Sequence, residues 1–125
     1  MKTILYVDDE VSLGLVVSRF FERRGDRVHV ARSVAEAREV LEREEPTIIF
    51  IDMWLGTESG FELMSWIDDT RPHMADTVTF VTGAVVDPNS TEMMFKTLGR
   101  PVIRKPFDIT RIIEAVDDAE KRVGA

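Results

Sequence analysis

Cysteine is absent from this sequence, and its absence excludes disulfide bonds and metal sites made of thiolates. No hydrophobic run is long enough to cross a membrane, so we expect no membrane insertion. The first ten residues, MKTILYVDDE, hold a short apolar run that three acids interrupt, which is unlike a secretory signal peptide. Together these features favour a cytoplasmic protein.

Basic residues are the minority among the charged ones, with 16 lysines and arginines against 23 aspartates and glutamates. The resulting net charge of -7 repels the phosphate backbone of nucleic acids, so direct binding to nucleic acid is not expected. Linker-like stretches rich in proline or serine are also missing. A length of 125 residues fits one domain, and we expect residues 1–125 to fold as a single domain.

Short apolar runs alternate with longer amphipathic stretches, a pattern typical of a parallel sheet with crossover helices. The predicted strands cover residues 3–7, 28–31, 47–51, 77–81 and 102–104. The predicted helices lie before Gly25, from Ser33 to Pro46, after Gly60, over residues 88–98, and from Asp108 to Val123. The predicted fold class is therefore α/β, with the element order (βα)5.

The spacing of apolar residues in the helices predicts which side chains face the core. In the first helix these are Leu13, Val16, Val17, Phe20 and Phe21. Trp66, in the third helix, is expected to be a core residue as well. The two histidines, His29 and His73, do not adjoin the acidic residues described next, so we expect them at the surface or at a strand edge rather than as ligands.

Polar and charged side chains follow the predicted strands, where ligands bind in an open parallel α/β sheet. The first strand is followed by Asp8, Asp9 and Glu10, the third by Asp52, the fourth by Thr82 and Gly83, and the fifth by Lys105. Each of these short motifs is also common in an ordinary turn or helix cap. Their joint placement after four strands is what favours a functional site.

The chemistry of these side chains suits the handling of phosphate. Clustered carboxylates favour a hard divalent cation such as Mg²⁺, with Asp9 and Asp52 as direct ligands and Asp8 positioning metal-bound water. The Asp52 carboxylate can attack phosphorus and form an acyl phosphate. The Lys105 ammonium and the Thr82 hydroxyl would then stabilise the transferring group.

The motifs VDDE, VTG and KPF, with a glycine eight residues after Asp52, resemble those of the response-regulator receiver family over the whole chain. The resemblance implies a doubly wound, flavodoxin-like parallel sheet with strand order 2-1-3-4-5. It also implies that Asp52 is the phosphoryl acceptor, Asp8 and Asp9 the acidic pair, Thr82 the switch residue and Lys105 the phosphoryl clamp. The backbone carbonyl of Trp54 is the third metal contact that it implies.

The same resemblance implies a signalling switch rather than an enzyme acting on a separate substrate, although the domain would catalyse its own phosphoryl transfer and slow autodephosphorylation. The phosphoryl donors would be a histidine kinase or a histidine phosphotransfer protein. The output would be altered binding of a downstream protein, through the surface of the fourth helix and fifth strand.

Two positions depart from the family pattern. Gly56 stands where many members have proline, which gives the loop after Asp52 access to positive φ. Val102 stands where members usually have a tyrosine or phenylalanine that moves inward on activation, and valine is stiff and has no ring. Switching is therefore expected to run through Thr82 and the fourth helix. At least one of Met93, Met94 and Phe95 in that helix must face outward. The other two are either ordinary core residues or part of an adaptable partner surface.

Three other functions are compatible with parts of the pattern. A phosphohydrolase of the haloacid-dehalogenase kind also uses an aspartate nucleophile, but it needs a DxD motif after the first strand, whereas Asp8 and Asp9 are adjacent. A flavodoxin-like FMN binder would need a hydroxyl-rich phosphate loop where this chain has three acids. A receiver-like scaffold that is never phosphorylated is disfavoured because the full set of site residues is present.

Overall fold

The computed structural model describes residues 2–83, 99–105 and 108–124. The strands are β1 (Thr3–Val7), β2 (Arg27–Ala31), β3 (Ile48–Asp52), β4 (Trp54–Leu55), β5 (Glu58–Ser59), β6 (Val78–Thr82) and β7 (Val102–Arg104). The helices are α1 (Val11–Arg23), α2 (Val34–Arg43), α3 (Gly60–Thr70), a 3-10 helix (Pro72–Thr77) and α4 (Ile109–Gly124). The helix predicted over residues 88–98 lies outside the described residues, so α4 is the fifth predicted helix.

The main sheet has five parallel strands in the order β2-β1-β3-β6-β7. This is the predicted order 2-1-3-4-5, because β4 and β5 form a separate antiparallel pair. The third predicted strand, β3, is buried along its whole length, as its run of large apolar residues indicates. The predicted doubly wound α/β fold is confirmed.

Apolar side chains pack on both faces of the sheet, because successive residues of a strand point to opposite sides. One core includes Leu5, Ile49, Phe80, Ala37 and Leu63, which bring α2 and α3 onto one face. The other includes Tyr6, Phe50, Val17, Phe21 and Ile112, which bring α1 and α4 onto the other face. The two layers of helices leave the carboxyl ends of the strands open for a site.

Two helices begin at the caps that the sequence predicts. The Ser33 hydroxyl accepts a hydrogen bond from the Glu36 N–H at 3.1 Å, and the Glu36 carboxylate accepts one from the Arg32 N–H at 2.9 Å. At the start of α4, the Asp108 carboxylate accepts the Thr110 N–H at 3.0 Å, and this hydrogen bond lowers the pKa of Asp108. These caps fix where α2 and α4 enter the fold.

Several details differ from the sequence predictions. Strands β3 and β6 begin and end one residue later than predicted, so Asp52 and Thr82 are the last residues of their strands. The β4–β5 hairpin and the 3-10 helix were not predicted. Val16 is 56% exposed because the buried face of α1 centres on Val17 and Phe21, which places Val16 toward solvent.

Trp66 also differs from its predicted core position. It is partly buried at the edge of the core, between the guanidinium groups of Arg38 and Arg71. The guanidinium carbons lie 5.2 Å and 4.7 Å from the centroid of the ring. Trp66 therefore links α2 to the end of α3 rather than filling the core.

Candidate functional site

The parallel sheet brings the predicted site residues together at one edge. Asp8 follows β1, Asp52 ends β3, Thr82 ends β6 and Lys105 follows β7. Backbone hydrogen bonds continue past the strand ends, with Asp8 N–H donating to Ala31 and Lys105 N–H donating to the Thr82 carbonyl at 2.8 Å. The site residues therefore extend directly from the rigid sheet.

Three carboxylates form the centre of the site. Oxygen atoms of Asp8, Asp9 and Asp52 all lie within 4.8 Å of one another, in a group that could hold a metal ion. Asp8 is 1% exposed and Asp52 is 5% exposed, whereas Asp9 is at the surface. The oxygen donors fit a hard cation such as Mg²⁺.

Lys105 forms ion pairs with three carboxylates at the site. Its Nζ atom lies 2.8 Å from Asp8 Oδ2, 3.0 Å from Asp52 Oδ2 and 3.1 Å from Glu10 Oε1. Burial lowers the pKa of Lys105, but the hydrogen bonds and charges of Asp8 and Asp52 outweigh burial, so the pKa lies above its ordinary value. Lys105 is therefore a permanent cation beside Asp52.

Asp52 experiences opposing influences on its charge. Burial raises its pKa to about 6, and the charge of Asp8 raises it as well. The hydrogen bond from Lys105 lowers the pKa, as does the Trp54 N–H, which donates to Asp52 Oδ1 at 3.1 Å. The net result is a carboxylate that is ionised at neutral pH at a cost to the folded state.

This cost predicts that the metal-free Asp52→Asn variant is more stable than the wild type at pH 7.5. The folded-state pKa of about 6 exceeds the ordinary value of 3.8, so wild-type stability falls as pH rises from the lower value through the higher. One pKa unit corresponds to about 1.4 kcal/mol, and loss of the Lys105 hydrogen bond offsets part of the gain. We therefore expect the free energy of unfolding of the variant to exceed that of wild type by about 1–2 kcal/mol. Denaturation in urea with EDTA measures the difference.

The advantage of Asp52→Asn should shrink when the same unfolding experiment is run at pH 5, because wild-type Asp52 is then largely protonated. Asp69→Asn, at an exposed position on α3, is the matched control. An equal gain in the free energy of unfolding at both pH values would contradict the conclusion that the ionised Asp52 carboxylate destabilises the fold. A loss of stability at pH 7.5 would contradict it as well.

The β4–β5 hairpin lies beside Asp9 and Asp52. Gly56 in its turn has φ +66°, as its predicted access to positive φ requires, and a Cβ placed there would lie 3.8 Å from Asp9 Oδ2. The Trp54 side chain is 56% exposed, while its backbone N–H binds Asp52. The hairpin thus places the backbone around Trp54 beside the carboxylates.

The predicted switch residues Thr82 and Val102 lie on neighbouring strands and differ in burial. Thr82 is buried at the end of β6, and Val102 is partly buried in β7, where its Cα lies opposite that of Phe80. The predicted output residues Met93, Met94 and Phe95 lie outside the described residues. The histidines lie as expected, away from the three aspartates of the site. His29 is next to Glu44, and His73 is next to Glu45.

Two side chains that contact the site were not predicted from the sequence. Glu10 is a third carboxylate partner of Lys105, and the hydroxyl of Tyr6 donates to Asp8 Oδ2 at 3.0 Å. Alternation along β1 puts Tyr6 on the same side as Asp8, which is the signal that could have revealed the second contact.

Known proteins resemble this chain in sequence. The family model of the response regulator receiver domain matches residues 4–117. The sensory transduction protein LytT of Enterococcus faecalis is 28% identical over 97% of this chain, and the photosynthetic apparatus regulatory protein RegA of Rhodobacter capsulatus is 24% identical over 92%. The chain spans 49% of the length of LytT and 61% of that of RegA.

Solved structures resemble it in fold. A response regulator receiver domain protein from Clostridium thermocellum superposes with a TM-score of 0.81 at 26% identity, covering 99% of this chain and 98% of its own. A CheY-like receiver domain protein from Methanospirillum hungatei gives a TM-score of 0.77 at 28% identity, with 98% of each chain covered.

The matches bear on two of the functions that the sequence leaves open. They support the two-component receiver and give no support to the phosphohydrolase alternative. Among the described residues, no helix is both long and apolar enough to cross a membrane. With the family model matching most of its length and the predicted fold confirmed, this chain belongs to the response regulator receiver domain family.

Proposed function

We propose that this receiver domain is a switch that accepts a phosphoryl group onto the carboxylate of Asp52. The observation that carries the proposal is the position of Asp52: a buried carboxylate 3.0 Å from the Lys105 ammonium, with two more carboxylates within 4.8 Å. An Asp52 oxygen attacks the phosphorus of a phosphohistidine, a P–O bond forms, and the P–N bond breaks. The imidazole leaves with the electron pair of that bond and takes up a proton.

The acidic group fits Mg²⁺ by its chemistry. In this proposal Asp9 and Asp52 hold the ion directly, the Trp54 carbonyl is a further ligand, and Asp8 acts through metal-bound water. The exposed position of Asp9 suits direct ligation, whereas both oxygens of Asp8 already accept hydrogen bonds or an ion pair. When bound, Mg²⁺ supplies positive charge that offsets the repulsion among the acids and the charge of the transferring group.

Lys105 and Thr82 would stabilise the phosphorylated state. The Lys105 ammonium faces Asp52 and can pair with a phosphoryl oxygen, while Thr82 ends the neighbouring strand and can donate its hydroxyl. A phosphoryl group adds a charge of about −1.5 to −2 and three acceptor oxygens, which would draw both groups toward it. Val102 has no ring to flip, so the change would pass through Thr82 toward the predicted partner surface at Met93, Met94 and Phe95.

The partners follow from the same chemistry. A histidine kinase or a histidine phosphotransfer protein would be the donor, and a downstream protein would recognise the phosphorylated form. Since such donors obtain the phosphoryl group from ATP, the proposal places the switch in the cytoplasm, with residues 1–125 acting as one domain. The domain would catalyse only its own phosphoryl transfer and slow autodephosphorylation.

Incubation of the protein with acetyl phosphate, or with a phosphohistidine donor, tests the proposal. With Mg²⁺ present, intact-mass measurement should show one added phosphate per chain, and the phosphate should be lost in base, as expected of an acyl phosphate. In EDTA the incorporation should disappear. Failure of both donors, or equal incorporation with and without Mg²⁺, would contradict the proposed function.

A further inference from the structure

Tyr6 connects the hydrophobic core to the acidic site. It is fully buried in β1, and its ring packs against Phe50 with the two centroids 5.9 Å apart. Its hydroxyl reaches the site end of the strand and donates to Asp8 Oδ2 at 3.0 Å. Tyr6 and Asp8 are two residues apart, so they extend from the same side of the chain.

Asp8 depends on a small number of donors because it is almost completely buried. Its Oδ2 atom is shared by the Tyr6 hydroxyl and the Lys105 ammonium, the latter at 2.8 Å. Its Oδ1 atom accepts the Glu10 N–H at 3.0 Å. A buried carboxylate stays charged and in place only when such donors hold it.

The donors to Asp8 differ in whether another acceptor competes for them. Lys105 also contacts Asp52 and Glu10, so any new anion at Asp52 competes for it. The Tyr6 hydroxyl reaches Asp8 from the core, where its ring is held by packing. A tyrosine hydroxyl carries a proton at neutral pH, so Tyr6 remains a donor to Asp8 when Lys105 is drawn away.

We propose that Tyr6 is a positioning residue of the phosphorylation site, whose hydroxyl holds the Asp8 carboxylate in place when Lys105 turns toward the phosphoryl group. This inference rests on the function proposed above. The oxygens of a phosphoryl group on Asp52 attract the Lys105 ammonium, which loosens its ion pair with Asp8. Tyr6 and the Glu10 N–H would then keep Asp8 where it could hold a metal-bound water.

The Tyr6→Phe variant isolates the hydroxyl, because phenylalanine preserves the ring that packs in the core. We expect phosphorylation by acetyl phosphate at saturating Mg²⁺ to slow by about 3- to 10-fold, roughly the effect of one lost hydrogen bond. We also expect the dissociation constant for Mg²⁺ to rise by a similar factor. Trp54 fluorescence reports the second quantity, measured in a Trp66→Phe background so that one tryptophan remains.

A double-mutant cycle with Asp8→Asn separates positioning from general support of the fold. If Tyr6 acts through Asp8, Tyr6→Phe should reduce the rate and the Mg²⁺ affinity in wild type but change neither further in the Asp8→Asn background. Equal effects in both backgrounds would overturn the proposal. So would a Tyr6→Phe variant that unfolds more easily yet is phosphorylated and binds Mg²⁺ like wild type, since Tyr6 would then be a core residue only.

Thr79→Val is the matched control for loss of a buried hydroxyl. The Cα atoms of Tyr6, Phe50 and Thr79 are paired across three neighbouring strands, so Thr79 occupies the same row of the sheet, yet it lies outside the acidic group. Its replacement should leave the rate and the Mg²⁺ affinity unchanged. If wild type itself takes up no phosphate, the proposed function fails; if wild type does and Tyr6→Phe matches it, only this inference fails.

Discussion

Replacement of Asp52 by asparagine is expected to abolish phosphorylation, reducing the rate by at least about 100-fold. The amide of asparagine cannot form an acyl phosphate, while its size matches that of aspartate, so the main contact that is lost is the ion pair with Lys105. The neighbouring acids cannot replace Asp52. Asp8 has both oxygens engaged in the interior, and Asp9 is exposed, whereas Asp52 combines burial with the Lys105 ammonium at 3.0 Å.

Intact-mass measurement after incubation with a donor and Mg²⁺ checks this expectation. Asp69→Asn, on the surface of α3, should take up one phosphate like wild type and controls for the change in charge. A base-labile phosphate that still appears on Asp52→Asn at the wild-type rate would show that another carboxylate is the acceptor. Urea denaturation of the variant in the same Mg²⁺ buffer shows whether a loss of phosphorylation reflects unfolding.

The arrangement of the site could be predicted because it follows from strand ends alone. Asp8, Asp52, Thr82 and Lys105 each stand at or just after the end of an apolar run. Once the runs are recognised as parallel strands, their carboxyl ends must meet at one edge. The one-residue error in β3 and β6 did not matter, because it moved Asp52 and Thr82 only from just after a strand to its last position.

Strand alternation could have indicated the contact between Tyr6 and Asp8, but other contacts within the site could not be predicted, because they join residues far apart in sequence. Glu10 and Lys105 are separated by 95 positions, and nothing local to either residue indicates that they meet. The β4–β5 hairpin has only two residues in each strand, which is too short for an alternating pattern. The apolar residues of α1 cover more of the helix circumference than the face that packs on the sheet, so the sequence pattern wrongly predicts a core position for Val16.

Gly60 shows how the packing of one helix can constrain the proposed phosphorylation site. It is the first residue of α3, and its N–H donates to the Met53 carbonyl at 2.8 Å. A Cβ atom at this position would overlap the backbone carbonyl oxygen of Asp52 and would lie 2.9 Å from Ile51 Cγ2. The close approach of α3 to the end of β3, rather than a positive φ, therefore requires glycine here.

We accordingly expect Gly60→Ala to destabilise the protein by about 2–4 kcal/mol, because the overlap is with backbone that carries Asp52 and cannot simply rotate away. The higher helix propensity of alanine contributes at most about 1 kcal/mol in the opposite direction, so the overlap decides the sign. Chemical denaturation measures the loss. Gly83→Ala is the control, since its Cβ would come no closer than 3.4 Å, to the flexible Lys105 side chain. A Gly60→Ala variant as stable as Gly83→Ala would contradict the prediction and show that α3 can move away from β3 without cost. A destabilised Gly60→Ala variant that is still phosphorylated at the wild-type rate would show that the end of β3 keeps Asp52 in place independently of α3.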